Sequence, residues 1–154
     1  MSRIIISEES VFTDLQASNK EEALKVLADS LLEQEFIHDS FYESLINREV
    51  NAPTGLQATD MGIAIPHTDP KHVKQDSLAV AVLDKPVVFQ DMVDKENSIE
   101  VKVIFLLGLS KSTKHLNILK QIIELIKEEG SLEEISNMPQ SDLYSYLSET
   151  LSTE

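Results

Sequence analysis

The run "IEVKVIFLLG", residues 99–108, limits what this chain can fold into more than any other stretch. Its valine and isoleucine content reads as a strand, and the closing "IFLLG" has no polar side chain to turn toward water. A strand of that kind is buried on both sides, at the centre of a sheet that other elements must cover.

The rest of the sequence supplies those elements. After a short apolar start, Ile4 to Ile6, Asn19 and Glu22 form an N-x-x-E pair that resembles a capping box, each side chain satisfying an amide at a helix start. Leu24, Leu27, Leu31 and Leu32 then recur at helical spacing and predict an apolar stripe over about four turns. A second helix is expected from Asp39, with Phe41, Leu45 and Ile46 as its buried face. Pro53 ends it, because the residue before a proline is pushed out of helical geometry. The stretch "APTGLQATDMG" follows as a loop. Further strand-like runs are "IAI" at 63–65 and "SLAVAVL" at 77–83, while "KPVVF" at 85–89 reads as an edge strand, since Pro86 has no N–H for a ladder. From Ser112, residues Leu116, Leu119, Ile122, Ile123 and Ile126 fall on one side of a helix that Gly130 closes. Two shorter helices, around 131–137 and from Pro139 or Gln140 to Leu151, finish the chain. Helices before, between and after strands predict one layered α/β domain with a mixed sheet over residues 1–154, without repeat, low-complexity segment or linker.

Composition removes several function classes. There is no cysteine, which excludes disulfides, thiol nucleophiles and thiolate metal ligands together. A formal net charge of −14 repels nucleic acid and anionic lipid before any specific contact forms, and favours basic proteins as partners. No apolar run reaches the roughly 18 residues that a membrane span needs, and "MSRIIISEES" has too short an apolar block for a secretory signal. The expected location is the cytoplasm, with no insertion into the membrane. Residues 128–154 are acidic and carry no lysine or arginine, the pattern of a solvated helical face.

Against that background "GIAIPHTDP", residues 62–70, places one of only four histidines directly after a strand-like run, with Pro66 fixing the backbone as it leaves. His115 stands on a second strand-to-helix turn, at the third position of a helix that Ser112 is expected to cap. If the two strands run parallel, both histidines emerge at one edge of the sheet, beyond the carboxyl ends of strands, where open α/β sheets bind ligands. The chemistry that fits is phosphoryl transfer through histidine. A neutral imidazole attacks phosphorus with one nitrogen while the other is held as a donor, and needs neither a metal nor a cofactor. Charge developing on the phosphoryl oxygens must be met by preorganised donors. The amides of the helix opening at Ser112 are candidates, and the same positive helix end favours a neutral His115. Arg48, one of only two arginines, is a candidate phosphate clamp. Plainer readings exist: a surface turn residue for His67, an incidental first-turn residue for His115, and for Arg48 a surface ion pair with Glu49 worth at most about 1 kcal/mol. Thr54 and Gly55 read as a turn, and His38 and His72 as solvated side chains.

The stretch "PTGLQATDMGIAIPHTDPKHV", residues 53–73, resembles the phosphorylation-site segment of the enzyme IIA components of the sugar phosphotransferase system, in the fructose/mannitol superfamily. "AIPH" is its most specific part. "KHLNILKQI", residues 114–122, is similar to that family's second histidine segment, and "LINREV", residues 45–50, to its arginine-bearing one. The combination of "PTGL", "AIPHTD" and "KHV" looks most like the galactitol-type branch. Thr68 departs from the small residue that many members carry after the histidine, and "LQATDM" from a glycine-rich lead-in. The resemblance implies a three-layer α/β/α sandwich with a mixed β-sheet, and a cytoplasmic phosphotransferase component. Phosphorylated HPr would donate to His67 at its outer ring nitrogen. His67 would pass the group to a cysteine of a cognate enzyme IIB, and the membrane enzyme IIC would deliver a sugar or sugar alcohol. His115 would hydrogen-bond the phosphohistidine or orient His67, Arg48 would help hold the charged group, and no metal would take part.

Two alternatives compete with that relay. A regulatory paralogue of the nitrogen-related type would bind targets according to its phosphorylation state. A histidine-metal hydrolase would need three ligands, whereas the sequence has no H-E-x-x-H and clusters only His67 and His72.

Overall fold

The two longest apolar runs lie side by side. In the structure, a computed structural model that describes residues 4–59 and 61–151 apart from the side chains of 112–115, β4 (Ser77–Gln90) pairs antiparallel with β5 (Ser98–Gly108). β3 (Gly62–Ala64) lies parallel to β5 on its other side, and β2 (Gly55–Gln57) pairs antiparallel with β3 at one edge. β1 (Val11–Leu15) pairs parallel with β4 at the opposite edge, as far as Leu83. The result is a mixed sheet in the order β1-β4-β5-β3-β2.

Period-two alternation along β5 divides its side chains between two cores. Ile104 and Leu106 face α1 (Lys20–Glu33) and α2 (Phe41–Asn51), which contribute Leu24, Leu27, Leu31, Phe41 and Leu45. Phe105 and Leu107 face α3 (Ser112–Lys127), α4 (Ser131–Asn137) and α5 (Gln140–Thr150), which contribute Ile118, Ile122, Leu132, Leu143 and Leu147. Helices thus cover both faces of the mixed sheet, as the element pattern predicts, and the fold is the three-layer α/β/α sandwich that the resemblance implies. Among the described residues no helix is long and apolar enough to cross a membrane.

Local details differ from the sequence-based expectations. Asn19 Oδ1 accepts the Glu22 amide at 2.9 Å, a cap worth about 1 kcal/mol. The Glu22 carboxylate reaches the Ser18 amide at 3.1 Å instead of closing on Asn19. α2 begins at Phe41 after Ser40, and α3 is preceded by Lys111 as N-cap, which makes His115 its fourth residue. α3 ends at Lys127, and Gly130, at φ 80°, opens α4. The expected loop 52–62 contains β2. The neighbouring β3 needs Gly62, where a Cβ would sit 2.2 Å from the Glu100 carbonyl oxygen, so β3 can approach β5 only without one. "KPVVF" is no separate edge strand. It continues β4 beyond a register shift between Val82 and Val87, with Pro86 in the irregular part. The apolar face expected for α3 is rotated: Ile118, Ile122, Leu125 and Ile126 are buried, while Leu116 is 74% exposed and Ile123 37%.

Candidate functional site

β3 and β5 run parallel, and the ladder between them reaches the histidine: the Leu107 amide donates to the Pro66 carbonyl at 3.0 Å, and His67 bridges to Leu107. His67 thus stands on the continuation of a strand, with its backbone fixed by the sheet. Its side chain is half-buried, and Nδ1 lies 2.9 Å from the Ile65 carbonyl oxygen. A carbonyl only accepts, so Nδ1 carries the hydrogen and the ring's nucleophilic lone pair is on Nε2. Burial lowers the pKa of His67 below its ordinary 6.5; the Ile65 carbonyl opposes this and the nearby Arg48 charge adds to it. A neutral imidazole with a defined tautomer follows. Long-range 15N NMR is expected to find Nε2 as the unprotonated nitrogen at neutral pH and a titration midpoint below 6.5; a higher midpoint or the opposite tautomer contradicts this geometry.

His67 opens into a cleft of about 330 Å³, lined also by Arg48, Thr68, Asp69, Leu116 and Leu119. α2 delivers Arg48 from its last turn. The partner of Arg48 is Asp69, with Nη1 and Oδ1 4.0 Å apart, and the expected surface pair with Glu49 does not form. Glu49 turns inward instead and is only 2% exposed. Its two carboxylate oxygens accept from the Thr54 amide and the Thr54 hydroxyl, each at 2.8 Å. Burial raises the pKa of Glu49, against the lowering influence of the Thr54 bonds and of Lys20 and Arg48. Thr54 is therefore more than a turn residue: its carbonyl accepts the Ile65 amide at 3.2 Å, which joins Glu49 to the segment carrying His67.

A second tie comes from Thr68. It is 2% exposed, and its hydroxyl shares a short hydrogen bond with the Ser44 hydroxyl on α2. At the other end of the sheet edge, Asp76 Oδ1 accepts from the Ser110 amide at 2.8 Å and the Ser110 hydroxyl at 2.7 Å, which anchors the turn entering α3. His115 is in the first turn of that helix, and its side chain lies outside the described residues. His38 is exposed as expected, whereas His72 is only partly exposed and pairs through Nδ1 with the Ser40 hydroxyl at 2.7 Å. Among the described residues no group of three or more histidine, aspartate or glutamate side chains is arranged to hold a metal ion.

The family profile described as the phosphoenolpyruvate-dependent sugar phosphotransferase system, EIIA 2, matches residues 4–150. The chain belongs to this family. Its relatives in the EIIA 2 family include the galactitol-specific EIIA component of Escherichia coli strain K12, 25% identical over 83% of this chain and 85% of that protein. The mannitol-specific phosphotransferase enzyme IIA component of Halalkalibacterium halodurans is 29% identical over 90% of each chain. The crystal structure of a PTS IIA protein, PtxA, from Streptococcus mutans superposes with a TM-score of 0.76 at 25% identity, covering 93% of this chain and 89% of that one. Within this EIIA member, sequence reasoning missed Ser44, Glu49, Asp69, Asp76 and Ser110. Each is held by a partner distant in sequence or through a turned side chain, and only the position of Asp69, two residues after His67, gives any signal.

Proposed function

We propose that this protein is a phosphocarrier of a sugar phosphotransferase system, acting as one domain over residues 1–154, with His67 as the phosphoryl acceptor. The observation that carries the reading is the bond from Nδ1 of His67 to the Ile65 carbonyl, which aims the Nε2 lone pair while Arg48 lines the same cleft. Phosphorylated HPr would donate. The lone pair of Nε2 forms the new N–P bond as the donor's N–P bond breaks, and Nδ1 keeps its proton throughout. Arg48 supplies charge to the phosphoryl oxygens. The group then passes to the cysteine of a cognate enzyme IIB, which serves the membrane enzyme IIC. Leu116, Leu119 and Ile123 form an apolar strip along α3 that borders the cleft, suited to transient docking of both partners. Likeness to a galactitol-specific and a mannitol-specific component favours a sugar alcohol as the transported substrate, with galactitol supported by the sequence segments around His67.

Incubation with phospho-HPr and then with a IIB protein tests the reading. One acid-labile phosphate on this chain, followed by its transfer to IIB, is expected; acceptance without onward transfer would favour a regulatory protein of the nitrogen-related type. His115 is proposed to hydrogen-bond the phosphohistidine. His115→Ala should then still accept phosphate but pass it on roughly tenfold to a hundredfold more slowly, because a charge-assisted bond worth about 1.5–3 kcal/mol is lost. Rapid-quench measurement of transfer to IIB checks this, and an unchanged rate in a folded variant would return His115 to a structural role.

A further inference from the structure

A cleft that receives a phosphoryl dianion gains nothing from a carboxylate in its wall, yet Asp69 lines it beside His67. The backbone holds Asp69 there from both sides. Thr68 before it is buried and tied to Ser44 of α2, and the Asp69 carbonyl accepts the His72 amide at 3.2 Å. Pro70 opens the short 3-10 turn that follows, Pro70–His72. The carboxylate has no capping duty there, since no side-chain bond caps that turn. What it faces is Arg48, at 4.0 Å, one helical turn along α2 from Ser44. The same helix face therefore fixes the backbone of Asp69 and carries the cation that Asp69 attracts.

We infer that Asp69 is a positioning residue that competes with the phosphoryl group for Arg48. It keeps phospho-His67 less tightly held than Arg48 alone would allow, so that the group is readily passed on. This rests on the phosphocarrier reading above. In the unphosphorylated protein Arg48 leans toward Asp69 at the rim of the cleft. When the donor's N–P bond breaks, its electron pair stays on the donor nitrogen, the Nε2 lone pair of His67 forms the new N–P bond, and Arg48 is then shared between two anions. A carrier that bound its phosphoryl group with the full strength of the cation would accept well and release poorly.

Wild type and Asp69→Asn are each equilibrated with a mixture of phospho-HPr and HPr, and the phosphorylated fraction is read by intact mass. Exposed ion pairs are worth at most about fivefold, so Asp69→Asn should move the equilibrium about two- to fivefold toward phospho-His67 at low ionic strength. The shift should shrink in high salt, and it should vanish in an Arg48→Met background. An unchanged equilibrium in the folded Asn variant overturns the inference. So does a shift that persists undiminished without Arg48, since Asp69 would then act on the phosphoryl group directly. If wild type itself takes up no phosphate, the phosphocarrier reading fails before Asp69 enters, and the inference ends with it.

Discussion

His67→Ala is expected to fold and to take up no phosphoryl group from phospho-HPr, with the phosphorylated species falling below detection in an intact-mass measurement. The imidazole lies at the end of the β3–β5 ladder, and the backbone bond between Leu107 and Pro66 that positions it survives the substitution. The variant thus loses the nucleophile and keeps the scaffold. An alanine protein that still gains one acid-labile phosphate would show the acceptor to be elsewhere. The same variant has a second readout. Burial holds the folded pKa of His67 below 6.5, so as the pH falls through that value the unfolded chain binds a proton before the folded one does. His67 therefore makes wild-type stability decline as the pH drops below about 6.5. Urea titrations at pH 5 and pH 7 should find a shallower decline in the alanine variant.

Glu49→Ala should be strongly destabilising, although Glu49 lies outside the hydrophobic core. It removes both acceptors of the buried Thr54 amide and hydroxyl, and each orphaned donor costs about 1–3 kcal/mol, so a loss of roughly 2–6 kcal/mol is expected in urea unfolding. Glu49→Gln keeps one acceptor for the Thr54 amide, while the Thr54 hydroxyl turns to accept from the new NH2 group. Since burial already disfavours the carboxylate charge, the glutamine variant should remain within about 1.5 kcal/mol of wild type. Because Thr54 also holds Ile65, the alanine variant should lose phosphoryl acceptance at temperatures where the glutamine variant retains it. Equal stability of the two variants would mean that the carboxylate–threonine box does not hold this loop.

The features that sequence made legible are those whose cause is local. A helix cap such as Asn19 acts over three residues, an apolar repeat declares its own period, and Gly130 marks a boundary through its backbone alone; α4 and α5 were accordingly placed within a residue or so. β1 and β2 escaped because their justification lies elsewhere. "VFTDL" is half polar and becomes a strand by pairing Val11 with Val80, and "GLQ" does so by pairing with β3. The candidate site followed the same division. The motif around His67 is readable, and so is its place just past a strand-like run; that this strand runs parallel to β5 is a condition of the sequence reading that the structure supplies. The direction in which Glu49 points is not, because on a helix so near its end the inward and outward faces differ by one position and nothing in "INREV" says whether Arg48 or Glu49 turns inward. Leu116 shows the converse: an apolar residue at helical spacing reads as core, and it borders the cleft instead.

The notch in β4 has a consequence for the protein's behaviour in a crowded cell. β1 covers the outer edge of β4 only to Leu83, yet β4 continues to Gln90. A strand extending past its neighbour offers unpaired backbone groups as a template for another chain. Here that template is spoiled. Pro86 has no N–H to give, Asp84 and Lys85 set charges beside it, and the Asp84 carbonyl is occupied by the Lys102 ammonium at 2.9 Å. The break in register between Val82 and Val87 offsets whatever pairing remains. An intruding strand meets an interrupted ladder, and the sheet can leave that margin open without inviting edge-to-edge aggregation.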